Sequence, residues 1–167
     1  VLLKRLLTNG TGTPACPQGL TMAISANNYF SAALEHLASA QWLHDQKQFA
    51  LAHYLAGTSV ECMLRAYLRR TSDEFDPRHD LERLASASRF FDHIPVALHT
   101  EYGQALQQLN RRWRSSQRYL AAQGLWSYLS EIKVDRGLKG DRRKNHSRAM
   151  LNLAHQIVKW GETKWQS

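Results

Sequence analysis

Six residues constrain this chain more than any others: Phe49, His53, Ala56, Val60, Met63 and Tyr67 follow one another in alternating steps of four and three. Such steps gather side chains on one face of an α-helix, whereas a strand needs steps of two. Leu64 and Leu68 widen the stripe. The spacing predicts a helix from about Lys47 to Arg70 whose broad apolar face forms the seam of a helical bundle.

Similar patterns surround it. Phe30, Ala33, Leu34, Leu37, Ala40 and Trp42 predict a helix from Asn27 to about Asp45, capped by Ser25, Asn27 or Asn28. His79-Asp80-Leu81 opens a short helix with Leu81, Leu84, Ala85 and Ser88 on one face. Pro95 suits the first turn of another, whose stripe is Leu98, Tyr102, Ala105, Leu109 and Trp113. Residues 118–133 read as helical but broken by Gly124, and the last helix is expected from about Asn145 to Lys164 with Met150, Leu153, Ile157 and Trp160 inward. Thr71 to Pro77 reads as a loop, and Lys133 to Lys144 as a basic loop. No convincing period-two run of β-branched residues appears, so no sheet is expected. The predicted fold is all-α: an up-and-down antiparallel bundle of four main helices with one or two short extra helices.

Residues 1–21 hold Asn9-Gly10, Gly12, Pro14, Pro17 and Gly19 without periodicity. They read as an irregular N-terminal extension, with Met22 close to a natural start and 22–167 as a single domain. A chain of 167 residues can bury a core without disulfides. Cys62, among apolar neighbours, reads as a buried free thiol, and with Cys16 makes no framework, so a reducing cytoplasm is the expected compartment. No apolar run approaches the roughly 18–20 residues that span a membrane, and no membrane association is expected.

The net charge of +8 is unevenly placed. Before Asn110 nine Lys and Arg face ten Asp and Glu; after it thirteen face four. This asymmetry predicts an electropositive face that attracts anions. Two clusters build it. Arg111, Arg112, Arg114 and Arg118 surround Trp113 and Tyr119, while Arg142, Arg143, Lys144 and Arg148 surround His146. Arginine beside aromatic rings suits nucleic acid, since guanidinium pairs with phosphate and both groups stack on bases. A solvated helix face that aids solubility is the plainer reading of the same residues.

No phosphate loop, dinucleotide fingerprint or nucleophile elbow is present, and His36, His44, His53 and the His79-Asp80 pair lack metal-ligand spacing. No metal or cofactor is expected. Glu61 lies in an otherwise apolar run, so a structural ion pair is predicted for it, with Arg118 a candidate partner.

The run Tyr54-Leu55-Ala56-Gly57-Thr58-Ser59-Val60-Glu61-Cys62-Met63-Leu64-Arg65-Ala66-Tyr67-Leu68, followed by His79-Asp80-Leu81, resembles HEPN domains. Arg118-Tyr119 and the closing helix from Ala149 to Trp160 are also similar to that family, so the resemblance spans roughly residues 27–165. It implies a four- to five-helix bundle, usually a homodimer, of the kind found in prokaryotic nucleic-acid, nucleotide and toxin–antitoxin systems. Catalytic members are metal-independent ribonucleases in which a His follows an Arg after four to six residues. The matching pair here is Arg148 and His155, six residues intervening, on one helical face. Arginine would stabilise the charged transition state and histidine would move the proton. Ala149, however, stands where the family usually has a polar residue after the arginine. The favoured expectation is therefore a non-catalytic module binding RNA, a nucleotide or an acidic partner protein through its basic face. A toxin-type ribonuclease and a toxin–antitoxin interaction module are the alternatives.

Overall fold

The computed structural model describes residues 24–72, 77–134 and 139–165. The expected extension 1–21 lies outside them, as do residues 73–76 and 135–138 of the two expected loops. Among the described residues the fold is all-helical, without strands. Its elements are α1 (Ala26–Asp45), α2 (Phe49–Thr71), α3 (Leu81–Ala87), α4 (His99–Arg112), α5 (Ala122–Glu131) and α6 (Arg142–Trp165). Short 3-10 turns lie at Phe90–His93, Val96–Leu98 and Ser115–Tyr119. No helix among the described residues is long and apolar enough to cross a membrane.

The central element is α2, which packs against α1, α6 and α3, while α4 lies on α6. Its stripe is buried as the spacing predicts: His53, Ala56, Val60 and Met63 are sealed from solvent, with Tyr67 beside them. Helix α1 is joined to it by only three residues and contributes Ala33, Leu37 and Ala40. The next residue on that face is His44 and not Trp42, which is 62% exposed. At one end of the bundle His44 meets Ser147 of α6; at the other Phe30 stacks on Trp165 with centroids 4.6 Å apart, so α1 and α6 run in opposite senses.

Local chemistry sets several helix ends. Ser25 caps α1 by accepting from the Asn28 N–H at 3.1 Å. Asp80 caps α3 by accepting from the Arg83 N–H at 3.0 Å. This bond satisfies one of the orphan donors of a first turn. Asp80→Ala should lower stability by about 1 kcal/mol in urea unfolding, whereas Asp80→Ser should retain most of it. Equal stability of both variants and the wild type would remove the cap from the account.

Three boundaries differ from the sequence expectation. Gly124 sits inside an unbroken α5, and the break falls earlier, at the 3-10 turn Ser115–Tyr119. Pro95 precedes a 3-10 turn, and α4 starts only at His99. Helix α6 begins at Arg142, because Asp141 accepts the Lys144 N–H at 3.1 Å and its carbonyl takes the Asn145 N–H. Arg142, Arg143 and Lys144 therefore occupy the first turn of a helix and not a loop.

Candidate anion-binding face

Trp113 organises the first basic cluster. It ends α4 in an extended conformation, is fully buried, and donates from Nε1 to the Tyr54 carbonyl at 3.0 Å. Its ring fits over Gly57, the one side of α2 with no side chain. Pinning this residue fixes the directions of its neighbours. Arg111 donates to the Ile132 carbonyl at 2.9 Å, Arg112 to the Gln108 carbonyl at 3.3 Å, and Arg114 to the Asn110 carbonyl at 2.8 Å. Arginines in this position satisfy the last carbonyls of a helix and complement its dipole. Each bond uses only part of the five-donor guanidinium.

These three arginines, with Gln107, Gln108 and Asn110, line a cavity of about 560 Å3 that Glu82 borders. Burial, and then the neighbouring Arg111 charge, hold Arg112 below its ordinary value. Arg118 stands apart, over the exposed Tyr119 ring at 4.8 Å. Its bond to Tyr119 holds it above its ordinary value. Tyr119 is 76% exposed, so one face of an arginine–tyrosine pair is open to solvent. The 111–118 cluster is thus a polar cleft plus a separate exposed stack.

Behind the cleft lies a buried polar cluster that the sequence reading missed. The Arg112 carbonyl accepts from Gln117 Nε2 at 2.8 Å and from His53 Nε2 at 3.3 Å. The indole of Trp126 lies edge-on to His53 and stacks on His146. His53 Nδ1, Gln117 Oε1 and Arg112 Nε are buried without a hydrogen-bond partner.

The second cluster is built around Arg148. Arg148 donates from Nη2 to His44 Nε2 at 3.1 Å, across from α6 to α1. A guanidinium can only donate, so the His44 proton is on Nδ1, which donates to Ser147 Oγ at 2.9 Å. Burial first, then the Arg148 charge, lower the His44 pKa. His155 lies two turns further along α6, exposed like Arg148, and no hydrogen bond or ion pair joins the two.

Glu61 accepts from Arg65 Nε at 2.7 Å and pairs with His79 Nδ1 at 2.8 Å. Arg65 also donates to the Arg78 carbonyl at 3.0 Å. The partner suggested from sequence, Arg118, is elsewhere on the surface; the i, i+4 neighbour and the residue before the α3 cap take its place. A buried carboxylate so supplied ties α2 to the start of α3. Burial, followed by the Glu61 charge, pushes the neighbouring free Cys62 thiol up to about 12, which leaves it unreactive at neutral pH. No group of three or more His, Cys, Asp or Glu suited to a metal ion occurs among the described residues. Compared with models of known protein families, with curated proteins and with solved structures, the chain matches none.

Proposed function

We propose that this chain is a HEPN-like helical module that binds RNA through its basic face rather than cutting it, built as an up-and-down bundle of four main helices (α1, α2, α4 and α6) with α3 and α5 as the short extras. The observation that carries the reading is the cleft itself. Arg111, Arg112 and Arg114 converge on one polar cavity, and an exposed Arg118–Tyr119 stack lies further along the chain. Phosphates would meet the guanidinium groups and an unpaired base would stack on Tyr119, a combination suited to single-stranded RNA. Homodimerisation and a prokaryotic origin follow from the family resemblance, a cytoplasmic setting follows from the cysteine usage, and all three belong to the same proposal.

The test is anisotropy of a labelled single-stranded RNA at several salt concentrations, with the same samples then run on a gel. Affinity should fall steeply with salt while the RNA stays intact. Arg111→Gln should weaken binding across all sequences and reduce the log–log salt slope by about 1. Tyr119→Ala should cost affinity without changing that slope, because stacking releases no counterions. Degraded RNA would instead favour the ribonuclease alternative, to be tested by Arg148→Ala and His155→Ala. Absence of both binding and cleavage would leave the basic face to an acidic partner protein.

A further inference from the structure

We propose that a second cavity, between the α1–α2 turn and the start of α6, binds a phosphate monoester attached to a flat ring, the chemistry of a nucleoside 5′-monophosphate or of the 5′-phosphorylated end of an RNA strand. The cavity measures about 330 Å3, at the small end of the range for small-molecule sites and suited to one nucleotide. Lys47 lines it from the α1–α2 turn, and Lys144 and Arg148 line it from successive turns of α6. None of the three forms an ion pair with a carboxylate among the described residues. The two carboxylates on its wall are already engaged: Asp45 accepts from Gln41 Nε2 at 3.1 Å, and Asp141 caps the Lys144 N–H.

The ligand class follows from the donors. A phosphate monoester carries about −1.5 to −2 charges near neutral pH and offers three terminal oxygens, enough for three separate cations. Arg148 is aimed by His44, which accepts one of its N–H groups and is itself held by Ser147, leaving the remaining guanidinium donors to a ligand. The half-buried ring of Phe49, tilted against His44 with centroids 5.3 Å apart, supplies a flat apolar wall beside the cations. That wall separates a nucleotide from inorganic phosphate.

Lys47 gives the site an unusual test. It occupies the left-handed region with φ 61°, in a turn where the Gln48 N–H bonds the Leu43 carbonyl at 2.8 Å and the Lys47 N–H bonds that of His44 at 3.0 Å. Glycine ordinarily closes a helix in this way, since it adopts that conformation without strain. The chain holds a cation where the turn alone would favour glycine. Lys47→Gly should therefore raise Tm by about 2–4 °C, the shift expected for relieving one such residue. The same change should weaken AMP binding by about five- to tenfold, the loss of one charged hydrogen bond. Opposite signs for stability and affinity rule out a folding defect as the cause.

The inference deepens the reading of the chain as an RNA- or nucleotide-binding module, yet this cavity shares no lining residue with the arginine cleft. Calorimetric titration of the full chain with AMP, adenosine and inorganic phosphate should rank AMP tightest, with Arg148→Gln weaker still than Lys47→Gly. A parallel titration compares RNA strands bearing 5′-phosphate and 5′-hydroxyl ends. Preference for the phosphorylated strand assigns the site to RNA ends; AMP binding without that preference assigns it to free nucleotide. AMP no tighter than adenosine, or unchanged by Lys47→Gly, overturns the site. RNA bound through the arginine cleft with neither AMP nor end dependence would sink this inference alone. AMP binding that obeys the Lys47 criterion in a protein that binds no RNA would sink the proposed function and leave the site standing.

Discussion

Gly57→Ala should lower the free energy of unfolding by about 4 kcal/mol, a loss of the size seen when a buried tryptophan is displaced. A Cβ at this position would lie 2.0 Å from Trp113 Cδ1, 2.2 Å from Cγ and 2.4 Å from Nε1. These are contacts that neither partner can relieve locally. The indole is rigid and fully buried, its Nε1 is tied to the Tyr54 carbonyl, and its ring stacks on Tyr54 with centroids 6.2 Å apart. On the other side, Gly57 is part of the backbone of the central helix. Relief requires expelling the indole, which loses its burial and its hydrogen bond together. At Gly161 an added Cβ would meet Met63 Sδ and Cγ, atoms of an unbranched thioether that adapts more readily than a rigid indole, so the same substitution there is the milder one.

The check is a double-mutant cycle by urea unfolding. Trp113→Leu removes the ring that the new methyl strikes, so Gly57→Ala in that background should cost far less than in the wild type. Additive losses, or a cost below about 1 kcal/mol for Gly57→Ala alone, would mean the indole does not depend on the gap. A functional consequence follows, because Trp113 lies between Arg112 and Arg114. Under the proposed RNA-binding function, affinity for RNA should fall as the arginines lose their anchor, even at a temperature where the variant remains folded.

What the sequence made legible was periodicity. A stripe in steps of four and three can only be buried one way, so α2, the burial of its seam and the α4 stripe ending at Trp113 could be read directly. Trp42 misled because hydrophobicity alone ignores phase: it falls off the face set by Ala33, Leu37 and Ala40, which continues to His44. Gly124 misled because one glycine costs a helix only about 1 kcal/mol, too little to break α5. The start of α6 was hidden by charge. Arg142, Arg143 and Lys144 read as a basic loop, yet Asp141 just before them caps the helix. Of the candidate site, the arginine clusters were visible as composition, but their division into a cleft and a stack was not. Pairings between distant elements carry no local signal. His44 with Arg148, and His53 with the Arg112 carbonyl, bring together residues more than fifty positions apart.

Acid should destabilise the protein through His53, with about 3 kcal/mol lost between pH 6.5 and pH 4. Burial is the main cause: in its sealed position the ring is pulled from 6.5 down to about 4, against the opposing pull of the Arg112 carbonyl, with the charges of His146 and Arg112 adding to the depression. The sign follows from proton binding. Above pH 6.5 both the folded and the unfolded chain hold His53 neutral, and its contribution is constant. Below that, the unfolded chain takes up a proton that the folded chain refuses, so stability falls as pH falls and levels off once the folded chain also titrates near pH 4. His44, lowered by its own burial and by Arg148, acts in the same direction. Urea unfolding at half-unit steps from pH 8 to pH 4 would measure the slope, and His53→Gln, which retains a donor for the Arg112 carbonyl, should flatten it. Trp126 gives a second readout, because its ring lies edge-on to His53 at 6.4 Å and its emission should change as the imidazole becomes charged. A slope unchanged by His53→Gln would place the acid sensitivity elsewhere. A flattened slope would identify the unpartnered Nδ1 behind the arginine cleft as the weak point through which protons unfold it.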